Sequence, residues 1–140
     1  ASIIKSKYDR PLSILTIGDS ITEGTGSSNT WTKSWPAQLS DMLDNSERYL
    51  FRNLAVGGTT GMRSSKNPYW KTYQFYSTKL LAPDVVFIMF GTNDAGSSWN
   101  ESLFIKEYTE LIQHFQNLRS NPEVFILIPP PLYAGYYWGI

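Results

Sequence analysis

Apolar and polar positions along this chain alternate between two periods. Residues 12–17, Leu-Ser-Ile-Leu-Thr-Ile, form a β-branched-rich run that stops at Gly18, which predicts a buried strand. Residues 49–56 are a second strand candidate ending at Gly57-Gly58, and residues 85–90 an almost wholly apolar third ending at Gly91. A run without polar alternation marks a central strand covered on both faces. Residues 123–128 predict a fourth strand, broken by Pro129-Pro130-Pro131, which cannot continue a ladder. Between the strands the period lengthens. Pro36 near the start of residues 35–43, with Leu39, Met42 and Leu43 at helical spacing, suits a helix. Residues 61–67 read as a loop, and residues 69–81 as a helix that stops before Pro83. Phe104, Tyr108, Leu111, Ile112, Phe115 and Leu118 recur at steps of three and four, so residues 102–119 predict the clearest amphipathic helix. Strands alternating with helices predict a three-layer α/β/α sandwich on a parallel sheet, with right-handed crossovers.

Composition narrows the functional classes. At 140 residues the chain fits one domain, 1–140, long enough to bury a core. Twelve acidic residues balance twelve basic ones, which argues against a nucleic acid or an anionic membrane surface as partner. No cysteine is present, so a disulfide framework, a thiolate zinc site and a cysteine nucleophile are excluded. No run approaches the roughly 20 apolar residues that span a bilayer. The chain therefore reads as soluble, with its compartment open. Aromatic residues make up 15%. Trp31, Trp70, Trp99, Tyr136, Tyr137 and Trp138 lie in Gly/Ser/Asn-rich stretches, where a cleft or interface is expected.

Ligands of such sheets bind at the carboxyl ends of the strands. Three of the four predicted strand ends carry polar residues there: Gly18-Asp19-Ser20, Gly57-Gly58-Thr59-Thr60 and Gly91-Thr92-Asn93-Asp94. Each alone reads as a turn or a helix cap. Together, after successive strands, they would meet at one edge. A serine at a strand-to-helix turn can hold its hydroxyl outward, with its own N–H an oriented donor. Gly58 offers a second N–H and Asn93 a side-chain amide, a three-donor cradle for negative charge developing on a carbonyl oxygen.

The residues 18–24, Gly-Asp-Ser-Ile-Thr-Glu-Gly, followed by Asn53 through Gly58 with Thr59-Thr60 and by Gly91-Thr92-Asn93-Asp94, resemble the blocks of the SGNH, or GDSL-like, hydrolases. The resemblance implies a flavodoxin-like SGNH-hydrolase fold and an esterase, lipase or thioesterase. It makes Ser20 the nucleophile and oxyanion donor, with Gly58 and Asn93 completing the hole; Gly57 is the weaker substitute for Gly58. Asp19, Thr59, Asp94 and Trp99 are assigned to the substrate side, and Trp31, Arg63, Tyr69 and Trp70 are further candidates for the pocket wall. No cofactor or metal is implied, and the ligand is a small-molecule ester.

The family's fourth block, Asp-x-x-His, is absent. The single histidine, His114, has Leu111 three residues before it and lies on the flank of the amphipathic helix. Serine needs a base, so the residues imply an N-terminal portion of the domain, incomplete at the C-terminus. The base would then come from a missing segment or from a second polypeptide; the remaining account is a non-catalytic binding protein. The apolar, aromatic residues 133–140 favour a chain cut within its domain. Two other readings stay open: a phosphate- or nucleotide-binding module at Gly57-Gly58-Thr59-Thr60, which lacks a nearby lysine, and a metal-assisted phosphohydrolase using Asp19 and Asp94.

Overall fold

Every residue of the first strand, β1 (Leu12–Gly18), is buried, and because successive side chains reach opposite faces it feeds two cores. Leu15 and Ile17 join Val86 and Ile88 in one, closed by Phe75, Leu111 and Phe115. Leu12, Ile14 and Val85 turn the other way and meet Leu43 and Phe51. The computed structural model describes residues 10–43, 47–96 and 99–131. Within them β2 (Tyr49–Asn53), β3 (Val85–Met89) and β4 (Glu123–Ile126) complete a parallel sheet of order β2-β1-β3-β4. Ile14 is the register point, pairing with Phe51 on one side and Val85 on the other.

Chain order supplies the helices α1 (Ser20–Glu23), α2 (Thr30–Lys33), α3 (Trp35–Leu43), α4 (Tyr73–Leu81), α5 (Thr92–Gly96) and α6 (Glu101–Gln116). α3 covers the face of Ile14, while α4 and α6 cover the face of Leu15, which gives the three layers. The amphipathic stripe places Leu111 and Phe115 at 0% exposure. Asn100 caps that helix by accepting from Leu103 N at 3.0 Å. It ends at Gln116, earlier than its apolar spacing predicts, with Asn117 N–H returned to Gln113 O; Asn121 at φ 46° and Pro122 follow before β4.

Three expectations change. Residues 69–81 split into a 3-10 turn, Tyr69–Lys71, and α4, which starts afresh where Thr72 Oγ1 accepts from Phe75 N at 3.1 Å. Tyr69 is 0% exposed and donates to Leu54 O at 2.8 Å, so it belongs to the core rather than to a pocket wall. β4, predicted over residues 123–128, ends at Ile126 and is the outer strand of the described sheet; Phe125 stacks on Phe87 at 5.3 Å yet stays 40% exposed. The aromatic stretch with Tyr136, Tyr137 and Trp138 lies outside the described residues. Among those described, no helix is long and apolar enough to cross a membrane.

An ion pair staples the amino-terminal edge. Arg10 donates twice to Asp84, at 2.7 and 2.8 Å, and Ser13 N donates to the same carboxylate at 2.8 Å. Burial alone would raise this carboxyl, but the Arg10 and Ser13 donors and the Arg10 charge outweigh it and hold Asp84 below its ordinary value. A group depressed in the fold stabilises it above the unfolded pKa of about 4, and that contribution is lost as pH falls through the folded value. Asp84→Asn should therefore cost about 1 kcal/mol at neutral pH. The gap to wild type should close in strong acid, as urea unfolding across the acid range would show.

Candidate active site

The first loop of the site begins with a close approach. A methyl group on Gly18 would lie 2.7 Å from Thr22 Cβ and 2.8 Å from Met89 O, so only glycine lets the chain pass from β1 into α1 beside β3. Asp19 is the N-cap, its Oδ1 accepting from Ile21 N at 2.9 Å. Ser20 is the first helical residue, where a backbone N–H has no intrahelical acceptor. The turn closes at Gly24, φ 101°, whose N–H returns to Ser20 O at 3.0 Å.

The second loop leaves β2 through Asn53. Its Nδ2 donates to Thr22 O at 2.8 Å, while its Oδ1 accepts from Ala55 N and Thr16 Oγ1, both at 3.1 Å. One side chain thus ties β1, α1 and the end of β2 together. The chain then passes over Ser20: a methyl group on Gly57 would lie 2.6 Å from Glu23 Oε2 and 3.6 Å from Ser20 Cβ. Gly58 follows at φ 75°, exposed, in a conformation that favours glycine. Asn67 Nδ2 donates to its carbonyl at 3.0 Å.

The third loop locks onto the second. Asn93 Nδ2 donates to Thr59 O at 2.9 Å, which fixes the plane of an amide that carries two protons. Asp94 accepts from Gly61 N at 3.1 Å and Met62 N at 2.8 Å. Ser20, Gly58 and Asn93 therefore sit on three loops that touch one another at the carboxyl edge of the sheet.

Asp19, Thr59 and Asp94 are buried beyond the ends of their strands. They are 1, 1 and 0% exposed; Asp19 Oδ1 and both Asp94 oxygens accept from loop N–H groups, and Thr59 Oγ1 donates to Val56 O at 2.7 Å. These bonds hold the loops that carry Ser20, Gly58 and Asn93. Burial raises both carboxyls. The Ile21 N–H opposes this at Asp19, where the Asp94 charge adds to the rise; at Asp94 the Met62 and Gly61 N–H groups oppose it. Among the described residues no three His, Asp or Glu side chains gather to hold a metal ion.

Trp99 is 50% exposed and its ring lies tilted against Phe104, centroids 5.1 Å apart, at the head of α6. Trp70 is half-buried between Phe75 at 5.2 Å and the Arg63 guanidinium at 5.3 Å, and Arg63 also pairs with Glu110 at 2.8 Å. His114 lies in the helical layer, its ring 4.5 Å from Phe75 and 6.0 Å from Trp70. Burial and the nearby Lys79 charge lower its pKa. Its ring packs among these aromatic rings on the flank of α6.

Two supporting residues carry no role in the sequence reading. Asn53 is one. The other is Glu107, which is buried on α6 and accepts from Ser64 N at 3.0 Å and Ser64 Oγ at 2.9 Å, anchoring the far end of the second loop. Its signal was an acid set within an apolar stripe, three residues after Phe104 and four before Leu111.

Beside the site a groove of about 580 Å³ runs between α3 and the β2 edge, lined by Glu23 among others, with the exposed Trp31 on its rim.

A family model described as GDSL-like Lipase/Acylhydrolase matches residues 16–139. An acetylxylan esterase of Xylanibacter ruminicola is 32% identical over 92 residues, covering 66% of this chain and 19% of that protein. Among solved structures, a family two carbohydrate esterase from Clostridium thermocellum, in complex with cellohexaose, aligns with a TM-score of 0.69 at 20% identity, over 94% of this chain and 47% of that one. A two-domain esterase active on acetylated mannans, co-crystallised with mannopentaose, aligns with a TM-score of 0.63 at 24% identity, over 84% and 30%. The chain thus spans about a fifth of the curated relative and under half of these structures.

Proposed function

The chain belongs to the GDSL-like lipase/acylhydrolase family, and from that premise we propose a carboxylic ester hydrolase that works through an acyl-enzyme on Ser20. Ser20 Oγ attacks the ester carbonyl carbon as its proton passes to a base. The carbonyl electron pair moves onto oxygen, and the oxyanion is held by Ser20 N–H, Gly58 N–H and Asn93 Nδ2. Collapse of the tetrahedral species expels the alcohol, which takes the proton back from the base. Water then releases the acid by the same steps in reverse. The observation that carries this reading is the mutual contact of the three loops, with Gly57 lying over Ser20 and Asn93 bonded to Thr59 O.

The base is assigned to polypeptide outside these 140 residues, because His114 is committed to packing. A histidine with an orienting carboxylate, from the same polypeptide or a second one, would complete the site. The named activities of the relatives, on acetylated xylan and acetylated mannans, favour an acetylated polysaccharide as substrate.

Active-site labelling tests the nucleophile. A p-nitrophenyl phosphonate should lose p-nitrophenolate and form one O–P bond at Ser20, read as a single mass increment on the peptide that contains it. An adduct elsewhere, or none in a preparation that cleaves esters, would sink the assignment.

A further inference from the structure

We infer that the groove between α3 and the β2 edge is a sugar subsite adjoining Ser20, with Trp31 as the platform for a neutral pyranose ring. This deepens the ester-hydrolase reading and rests on it for the chemistry, though not for the binding.

Continuity is the first support. Glu23 lines the groove, and its Oε2 also lies against the Gly57 position that neighbours Ser20 Cβ. Thr25 Oγ1, another lining group, donates to the same carboxylate at 3.2 Å. A ligand lying in the groove with one end at Glu23 therefore has that end beside the nucleophile.

The rim is the second support. Trp31 is 89% exposed, although a large indole is a costly surface to leave in water. Its backbone is nonetheless held, since Asn29 Oδ1 accepts from Trp31 N at 2.9 Å and Thr32 N at 3.2 Å. The fold makes no use of the ring, yet fixes the backbone that carries it. A flat, electron-rich face suits the axial C–H side of a pyranose.

Lining chemistry selects the ligand class. Thr25, Thr30 and Ser40 bring hydroxyls, and the one charged side chain among the described lining residues is the anionic Glu23. With no Lys or Arg there, a phosphorylated or uronic ligand meets repulsion rather than a partner. Hydroxyls spaced among Pro36, Ala37 and Phe51 would leave polar groups unpaired against an alkyl chain. A neutral sugar, apolar on its ring faces and polar at its edge, matches both. The volume of about 580 Å³ is that of an ordinary small-molecule site.

The test uses the full-length protein and three substrates: acetylated xylotetraose, p-nitrophenyl acetate and p-nitrophenyl octanoate. Trp31→Ala should lower the kcat/KM ratio of the sugar ester to the aryl acetate by about tenfold or more, mainly through KM, and Trp31→Phe should restore part of it. An unchanged ratio overturns the subsite. So does selective loss of the octanoate, which would make the groove an acyl channel. A binding arm needs no catalysis: Ser20→Ala protein is titrated calorimetrically with xylotetraose, mannotetraose and cellotetraose. Binding of at least one, lost on adding Trp31→Ala, supports the subsite; binding of none, or binding unaffected by that change, overturns it. A wild-type protein that binds the sugars but cleaves no ester would sink the hydrolase reading alone.

Discussion

Ser20→Ala is expected to lower kcat on p-nitrophenyl acetate by about 10⁴-fold or more, with KM little changed. The reasoning is that Oγ is spent on chemistry and not on the fold. The N-cap of α1 is Asp19, bonded to Ile21 N, and the closing bond runs from Gly24 N to the Ser20 carbonyl. Alanine retains both, and its Cβ keeps the place that Ser20 Cβ holds beside Gly57. Stability should therefore stay within about 0.5 kcal/mol of wild type. Rate and stability separate only if the hydroxyl is the nucleophile. Steady-state kinetics beside thermal unfolding decides the matter: activity within tenfold of wild type, in a folded protein, would remove Ser20 from the reaction.

How far the sequence could be read depended on whether a residue's role was local. β1 and α6 were legible because seven consecutive buried positions and a three-four stripe are properties of the segments themselves. The short helices α1, α2 and α5, four or five residues each, complete too little of the helical period to show. The apolar run of β4 predicted a strand, but an apolar run does not say which neighbours will cover it. Tyr69 looked like a cleft residue because it follows a polar loop, and only the fold reveals Leu54 O waiting for its hydroxyl.

The same limit explains the site. Ser20, Gly58 and Asn93 stood out as glycine-flanked polar residues after strands, and their loops do come together. Asp19, Thr59 and Asp94 carried the identical signal. Whether such a residue faces a ligand or turns inward to backbone N–H groups is decided across the loops, at Gly61 and Met62 for Asp94, far away in sequence. Glu107 is the reverse case: the odd acid on an apolar stripe was visible, but its partner Ser64 was not.

Asn93→Ala should lower kcat by about 10²–10³-fold, the usual cost of one oxyanion donor. Two effects combine in that figure. The amide proton that would meet the developing charge is removed, and so is the bond to Thr59 O that steadies the Gly58 loop. Loss of that bond leaves a buried carbonyl without its donor and costs about 1 kcal/mol of stability. A second variant separates them. Asn67→Ala deletes the donor to Gly58 O without touching Asn93, so it reports what loosening the loop alone does. If Asn93 stabilises the transition state directly, its loss should fall on kcat with KM nearly constant. The affinity for a phosphonate that mimics the tetrahedral species should weaken by a similar factor, while Asn67→Ala moves both far less. Equal losses in the two variants would make Asn93 a loop tether and leave the oxyanion to Ser20 and Gly58.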